Sequence, residues 1–438
     1  MNRRELDRLG RELVEYLDVL LDGMGRVERR AAMRNYVTGL LLDGDRKSVE
    51  PMAARLVESP SEIESMRQRL LGCVAESDWS DAEMFKRLAL RFERELPGIE
   101  AFVVDDTGHP KKGEHSVGVQ RQYSGTLGRI DNCQIATSLH LAGEGTSGCI
   151  AYELFLPESW ATDRKRRRKT GVPLGVVFRS KWEISLAQID RALAWGVRKH
   201  VALADAGYGD NGEYRAGLLE RGLHYVVGVT NTAVVWPPQS KPKLVQRKPG
   251  TPGRPRTRYR DEMHPPLSLK LLALDLDYQS VTWRHGSRGK QRSRFACTRV
   301  RTAHKHQNGE PPGDEQWLLC EWPTDEDAPT KFYFSSLPVG TSIKTLVRLA
   351  KLRWRVERDY QEMKQEVGLD HFEGRSWRGF HHHATLCAVA HGFLAIRRAL
   401  FPPDDDEMDS ADGPQGAPAD PHSATRLLPA LQAGGLLA

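Results

Sequence analysis

The chain has 438 residues, with 64 Lys+Arg against 58 Asp+Glu, a formal net charge of +6 and a hydrophobic share of 39%. No run approaches the ~18–20 apolar residues of a membrane span, and charges interrupt the N-terminal MNRRELDRLGRELVEYLDVL, so neither a transmembrane segment nor a signal peptide is expected. The six cysteines (Cys73, Cys133, Cys149, Cys297, Cys320, Cys387) form no C-x-x-C pair, which argues against a disulfide framework or zinc knuckle and fits a reduced cytoplasm.

Residues 1–98 read as a helical N-terminal domain. Leu9, Leu13, Tyr16, Leu17, Leu20 and Leu21 recur at helical spacing, and Ser48 is placed to cap a helix running to Leu56. Arg26, Arg30 and Arg34 form a stripe at i, i+4, i+8 that suits phosphates or a solvated helix face.

From Ile99 the pattern turns to strands alternating with helices, which predicts an α/β fold with a mixed sheet over 99–230. Strands are expected at Phe102–Val104, Ile135–Leu141, Cys149–Leu156, Val201–Ala204 and Tyr225–Val229, with helices at Lys181–His200 and Gly212–Arg221. Asp105 and Asp205 follow strands directly, and open α/β sheets bind ligands at strand carboxyl ends. Asp210 reads as a cap for the helix starting at Gly212. Arg164–Lys169 is six consecutive bases, read as a loop that could clamp a polyanion or simply be solvated.

Residues 231–340 read as a basic, β-rich insertion. Lys241–Arg260 holds eight bases and no acid, and Pro242, Pro249, Pro252 and Pro255 deny it a helix or an inner strand, so it is expected to be mobile without a polyanion. Arg254, Arg256 and Arg258 are candidate DNA contacts there, and Gly253-Arg254-Pro255 could form a minor-groove hook. Strands are expected at Leu267–Leu276, Ser280–Trp283, Phe295–Val300 and Gln316–Glu321, and the tryptophans at 236, 283, 317 and 322 suit hairpin packing or stacking on a base. Residues 341–400 should hold a long helix from about Ile343 to Val367 and another from about His383 to Leu400. Residues 401–438, with seven acids and one base, read as an acidic disordered tail, which leaves the block 101–400 with a net charge of +15, suited to a polyanion partner or to ordinary solubilising charge.

Two aspartates at strand ends and a glutamate on a helix suit a two-metal phosphodiester site, because Mg2+ prefers carboxylate oxygens. Asp105 or its neighbour Asp106, Asp205 and Glu357 are the candidates. Around Glu357, helical geometry puts Arg353 and Lys364 on the same face, an acid flanked by two bases. The same pattern is also that of an ion-paired surface helix. Lys111 and Lys112 follow Asp105 closely and could touch phosphates. His381, His382 and His383 are adjacent, so they point apart and are not a chelating set.

The segments VVDDTGHPKKG, ALADAGYGD and RWRVERDYQEMKQEVGLDHFEGRSWRGFHHH together resemble DDE transposases of bacterial insertion sequences, over roughly residues 30–400. They look like the subgroup with a Y-(2)-R-(3)-E-(6)-K helix, matched by Arg353, Glu357 and Lys364, with Ala350 in place of the tyrosine. The resemblance implies a ribonuclease-H-like fold and makes Asp105, Asp205 and Glu357 the catalytic and metal-binding set, favouring Asp105 over Asp106. It implies two Mg2+ ions, with Mn2+ able to substitute, and cleavage of transposon-end DNA followed by joining to target DNA. It implies a homodimer on DNA, no membrane, and a bacterial cytoplasmic, nucleoid-associated protein. A stand-alone nuclease and a domesticated, non-cutting DNA-binding protein are the alternatives.

Overall fold

In the first helix, α1 (Arg3–Leu21), Leu9, Leu13, Tyr16, Leu17, Leu20 and Leu21 are at most 2% exposed. Each such burial contributes about 1.5–3 kcal/mol, which outweighs modest helix propensity. The computed structural model describes residues 3–125, 128–244, 258–286, 289–303 and 308–401. It divides into two units, one running to Arg198 and resuming at Trp354, the other spanning Lys199–Arg353.

The first unit continues with α2 (Val27–Leu41), α3 (Val49–Arg55), α4 (Ile63–Leu71) and α5 (Asp81–Glu95). Ser48 stands at the N-cap of α3, as its position suggests, although its side chain makes no cap bond. The arginine stripe faces the chain's own acids: Arg30 pairs with Asp22 and Arg34 with Asp18.

Four strands follow: β1 (Ala101–Pro110), β2 (Gln120–Ser124), β3 (Arg129–Ala142) and β4 (Ser147–Leu154). β3 pairs antiparallel with β1, β2 and β4. The ladder between β1 and β3 runs from Ala101 opposite Ala142 to Pro110 opposite Cys133. Asp105 and Asp106 therefore lie in mid-strand and not at its end, because buried Thr107, Gly108 and His109 extend the pairing past them. Next come α6 (Glu158–Ala161), α7 (Arg164–Thr170) and α8 (Lys181–Ala194). The six-base run is thus a helix and not a loop. Asp163 caps it by accepting the Arg166 N–H, and Gly171 ends it at φ 68°.

The second unit opens with β5 (Val201–Ala204), α9 (Ala206–Gly209), α10 (Gly212–Glu220) and β6 (Tyr225–Val229), with β5 and β6 parallel. Its further strands are β7 (Val234–Trp236), β8 (Lys243–Leu244), β9 (Tyr259–Arg260) and β10 (Leu267–Ser268). After α11 (Leu269–Leu272) come β11 (Gln279–Gly286), β12 (Gly289–Thr302), β13 (Glu315–Trp322) and β14 (Lys331–Ser335). β6, β14, β13 and β12 pair antiparallel in that order, so the sheet is mixed. The strand expected at Leu267–Leu276 is mostly helical: α11 follows Ser268 and buries Leu269 and Leu272 on one side, a helical spacing. The four tryptophans pack within the unit. Trp236 is buried, Trp283 meets Phe295 edge-on, and the Trp317 and Trp322 indoles donate to Pro338 and Glu326 carbonyls.

The helix expected from Ile343 to Val367 is two helices, α12 (Ile343–Leu352) and α13 (Trp354–Gln365), broken at Arg353. The break shifts the buried stripe. Leu346 and Ala350 would put residue 357 inward in an unbroken helix, whereas Val356, Tyr360 and Met363 are buried instead. The chain ends its described part in α14 (Trp377–Leu400), buried from Gly379 to Ile396. Arg254, Arg256, the Gly253-Arg254-Pro255 motif, most of the Lys241–Arg260 stretch and residues 402–438 lie outside the described residues.

The glycines of the ADAGYGD segment have a packing cause. A Cβ on Gly209 would stand 1.9 Å from the Gly228 carbonyl oxygen, so only glycine lets the turn after β5 lie against β6. Gly209→Ala is expected to destabilise the protein by about 1–3 kcal/mol or more, as overpacking does. A lower urea unfolding midpoint at unchanged slope is the measurement that checks it.

Candidate catalytic carboxylates

Adjacent strand residues point to opposite faces, and the first unit shows where each face leads. Asp106 meets α8, where its Oδ2 accepts from Lys181 Nζ at 2.8 Å. Asp105 faces the other way. It stands opposite Ser138 on β3, and opposed residues share a face. The Ser138 Oγ lies 2.6 Å from the Tyr360 hydroxyl of α13. On that helix Lys364 also reaches β1, donating to the Gly108 carbonyl at 2.9 Å. Tyr360 and Lys364 share a stripe of α13 with Glu357, which lies one turn nearer the helix N-terminus and is exposed. The face of β1 that carries Asp105 is therefore the face on which the Glu357 helix rests.

Asp105 accepts the N–H of Asp106 at 2.8 Å through its Oδ1. Asp205, in the second unit, follows β5 directly. Its Oδ1 caps α9 by accepting the Gly207 N–H at 2.9 Å. Asp210 is not the cap of α10: Asn211 takes that place, accepting from Glu213 and Tyr214, while Asp210 accepts the Thr230 N–H at 2.9 Å. Asp210 still has helical backbone at the end of α9 (φ -67°, ψ -23°), whereas Asn211 is extended, as an N-cap residue is. Among the described residues, no group of three or more His, Cys, Asp or Glu side chains is drawn together into a metal cage.

The basic candidates separate into two kinds. Lys111 and Lys364 are half-buried and hold the chain's own carbonyls, Lys111 that of Phe372 at 2.8 Å. Burial lowers the pKa of both, and Asp370 partly offsets it. Lys112 and Arg258 are exposed, and Arg353 is half-exposed at the end of α12. The three adjacent histidines diverge. The His381 ring accepts from Leu154 N–H, His382 stacks on Trp79 at 3.8 Å, and His383 meets the Tyr36 hydroxyl at 2.9 Å. Burial pushes the His382 and His383 pKa values down to about 4, so both are neutral at pH 7.

One polar cluster has no counterpart in the sequence reading. Asp359, two residues after Glu357, accepts from His140 Nδ1 at 2.7 Å and from Ser147 Oγ at 2.6 Å. His140 also lies 2.9 Å from Ser138. Burial opposes charge on His140, but the Cys149 sulfur and the Asp359 carboxylate outweigh it and raise its pKa. A turn further on, buried Glu362 binds Arg358 at 2.6 Å, His391 at 3.1 Å and Arg398 at 3.1 Å. Burial alone would raise the Glu362 pKa, yet these three partners hold it far below the carboxylate range. The residues come from β3, β4, α13 and α14, separated by up to 260 positions in sequence, so no local spacing reveals them.

An α/β protein with acids on sheet strands and on a helix laid over one of them suits phosphodiester chemistry. The chain belongs to the DDE superfamily endonucleases, whose family profile matches residues 19–290. That span includes Asp105 and Asp205 and stops before Glu357. The chain is also similar to a probable transposase for insertion sequence element IS701 from Microchaete diplosiphon, 30% identical over 134 residues. That match covers 30% of this chain and about a third, 32%, of the relative's length. Among the described residues no helix is long and apolar enough to cross a membrane.

Removing the charge of Glu362 leaves two guanidiniums and a histidine without their acid. Glu362→Gln is expected to cost about 3–5 kcal/mol at pH 7, the usual penalty for breaking a buried ion pair. Because the folded pKa lies below the unfolded one, the wild-type advantage is complete above about pH 5 and shrinks as pH falls below roughly 4.3. Denaturant titrations of both proteins across pH 3–7 would show converging stabilities at the acid end.

Proposed function

We propose that the chain is a DNA transposase of ribonuclease-H-like fold that cuts the ends of an insertion sequence and joins them to target DNA. The observation that supports this reading is the shared face of β1: Asp105 lies on the face over which α13, the helix that carries Glu357, is laid, in a chain that belongs to the DDE endonucleases. Asp205, directly after β5, would be the third carboxylate of the set. In this reading residues 231–340 are an insertion between the second and third acids, residues 1–98 a DNA-binding domain, and the active species a homodimer on DNA.

The donor set fits Mg2+. Three carboxylates offer hard oxygen ligands, Glu357 is exposed, and the Asp205 cap bond uses Oδ1. Asp105, Asp205 and Glu357 would hold two such ions. Bound there, the cations would ease deprotonation of water and neutralise charge on the leaving oxygen. The chain's residues then have positional work. The ladder between β1 and β3 fixes Asp105, the Ser138–Tyr360 bond seats the helix that presents Glu357, and the Gly207 N–H orients Asp205. In this reading water attacks a phosphodiester at the element end and the phosphorus–O3′ bond breaks; the freed 3′-hydroxyl, losing its proton, later attacks a target phosphodiester in line and displaces the target strand's 3′-oxygen. Lys112, Arg258, Arg353 and the arginines at 254 and 256 would hold phosphates around this path.

The test is incubation with DNA carrying the element ends, with and without Mg2+. Asp205→Ala is expected to abolish cleavage, by about 10³-fold or more if it removes the metal pair's stabilisation, while terminal-DNA binding, read by gel shift, stays equal or tightens. A variant that still cuts, or a wild-type protein that nicks but never joins, would overturn the assignment in its first or second half.

A further inference from the structure

The six-base helix α7 is anchored on one side and unneutralised on the other. Arg166 lies over the Trp160 ring at 3.7 Å, Trp160 donates to the Val119 carbonyl at 2.7 Å, and Arg167 donates to the Ala161 and Pro173 carbonyls. The outward side carries Arg164, Lys165, Arg168 and Lys169, all exposed. None of these four side chains makes a hydrogen bond or ion pair among the described residues. They form two like-charged i, i+4 pairs, which repel in a free helix.

Lys165 and Lys169 line a cleft of about 590 Å³ whose opposite wall is Arg121 of β2 and Asn132 of β3. Glu114 lines it as well. Lys169 also borders a second cavity of about 510 Å³, where Glu50 and Glu373 face Arg67 and Arg375 and Arg67 is paired with Glu64, so the unmatched charge is confined to the first cleft. In the other direction the surface turns apolar. Arg121 stands opposite Asn132, and Tyr123 stands opposite Ile130 one pleat along the same face. Tyr123 is 61% exposed and Ile130 60%. Unneutralised cations beside a bare aromatic and aliphatic pair match a phosphodiester chain whose bases are free to stack.

We infer that the cleft between α7 and the β2–β3 hairpin seats a single DNA strand, its phosphates along Lys165, Lys169 and Arg121 and a base against Tyr123. Duplex DNA would offer phosphates but no free base face to Tyr123, and a small anion would have no use for the apolar pair. This seat goes beyond cleavage, and it needs neither the carboxylates nor the element ends.

The experiment is fluorescence anisotropy of labelled oligothymidine on the full chain in EDTA, titrated with salt, with unlabelled duplex and inorganic phosphate as competitors. Changing Arg121, Lys165 and Lys169 together to Ala is expected to weaken binding at least tenfold at low salt. It should flatten the salt slope by about 2, at roughly 0.7 per single-strand phosphate contact. Tyr123→Ala is expected to weaken oligothymidine about 5- to 100-fold with the slope unchanged, as loss of one stacked base does. All four residues are exposed, and unchanged thermal melting confirms that the variants fold. An unaltered slope in the triple variant overturns the seat. So does equal loss of duplex and single-strand binding with Tyr123→Ala silent, which makes the face a plain duplex surface. Displacement by millimolar phosphate likewise overturns it. Since cutting is blocked in EDTA, a failed cleavage assay leaves this result standing, and a failed binding result leaves the carboxylate assignment standing.

Discussion

Much of the first unit's chemistry depends on one buried contact, the grip of Asp359 on His140 and Ser147. A carboxylate this deep would be costly alone, and it is tolerated because the imidazole and hydroxyl supply donors at hydrogen-bond distance. Its effect is directional. An apolar interface would let α13 slide or roll over β3 and β4, whereas a bidentate carboxylate permits one register. With Asp359 pinned, Tyr360 reaches Ser138 and Lys364 reaches Gly108, and Glu357 is left outward on the face where Asp105 points. The Glu362 cluster repeats the device one turn on, tying the same helix to α14.

The outline of the fold was legible because it rests on periodicity. The stripe from Leu9 to Leu21 and the strands at Ala101, Val201 and Tyr225 announce themselves through spacing of apolar residues. What failed to show were features decided by distant partners. The break at Arg353 is invisible in KLRWRVERDY, since both halves are good helix, and only the shift of the buried stripe reveals it. Leu267–Leu276 is apolar enough for either state, and burial of Leu269 and Leu272 on one side accompanies its mostly helical form. At the candidate site, the residue types and the opposite facing of Asp105 and Asp106 could be read from the chain. The Asp359–His140 tie could not, because its members lie 219 positions apart.

The break at Arg353 coincides with the boundary at which the chain leaves the second unit and re-enters the first. Glu357 follows within four residues, on the first turn of α13. The 152 positions between Asp205 and Glu357 fall almost wholly within the second unit, which the chain leaves at Arg353. A long insertion is tolerable where its ends are held by packed structure, since added loop length carries only a slowly growing entropic cost.

Net charge alone is a poor guide to which cations meet a polyanion. Lys111 and Lys364, the bases nearest the proposed carboxylates in sequence or helix face, are half-buried and already hold backbone carbonyls. The Arg30 and Arg34 stripe is matched by Asp22 and Asp18. On α7 Arg166 and Arg167 fasten the helix, and the other four bases carry their charge to the surface with no ion pair among the described residues. A cation spent on the chain's own oxygens contributes to folding. One that the fold leaves unmatched raises the energy of the free protein and lowers that of a complex with a polyanion, so the division between anchored and unmatched bases, more than their number, marks where such a partner would lie.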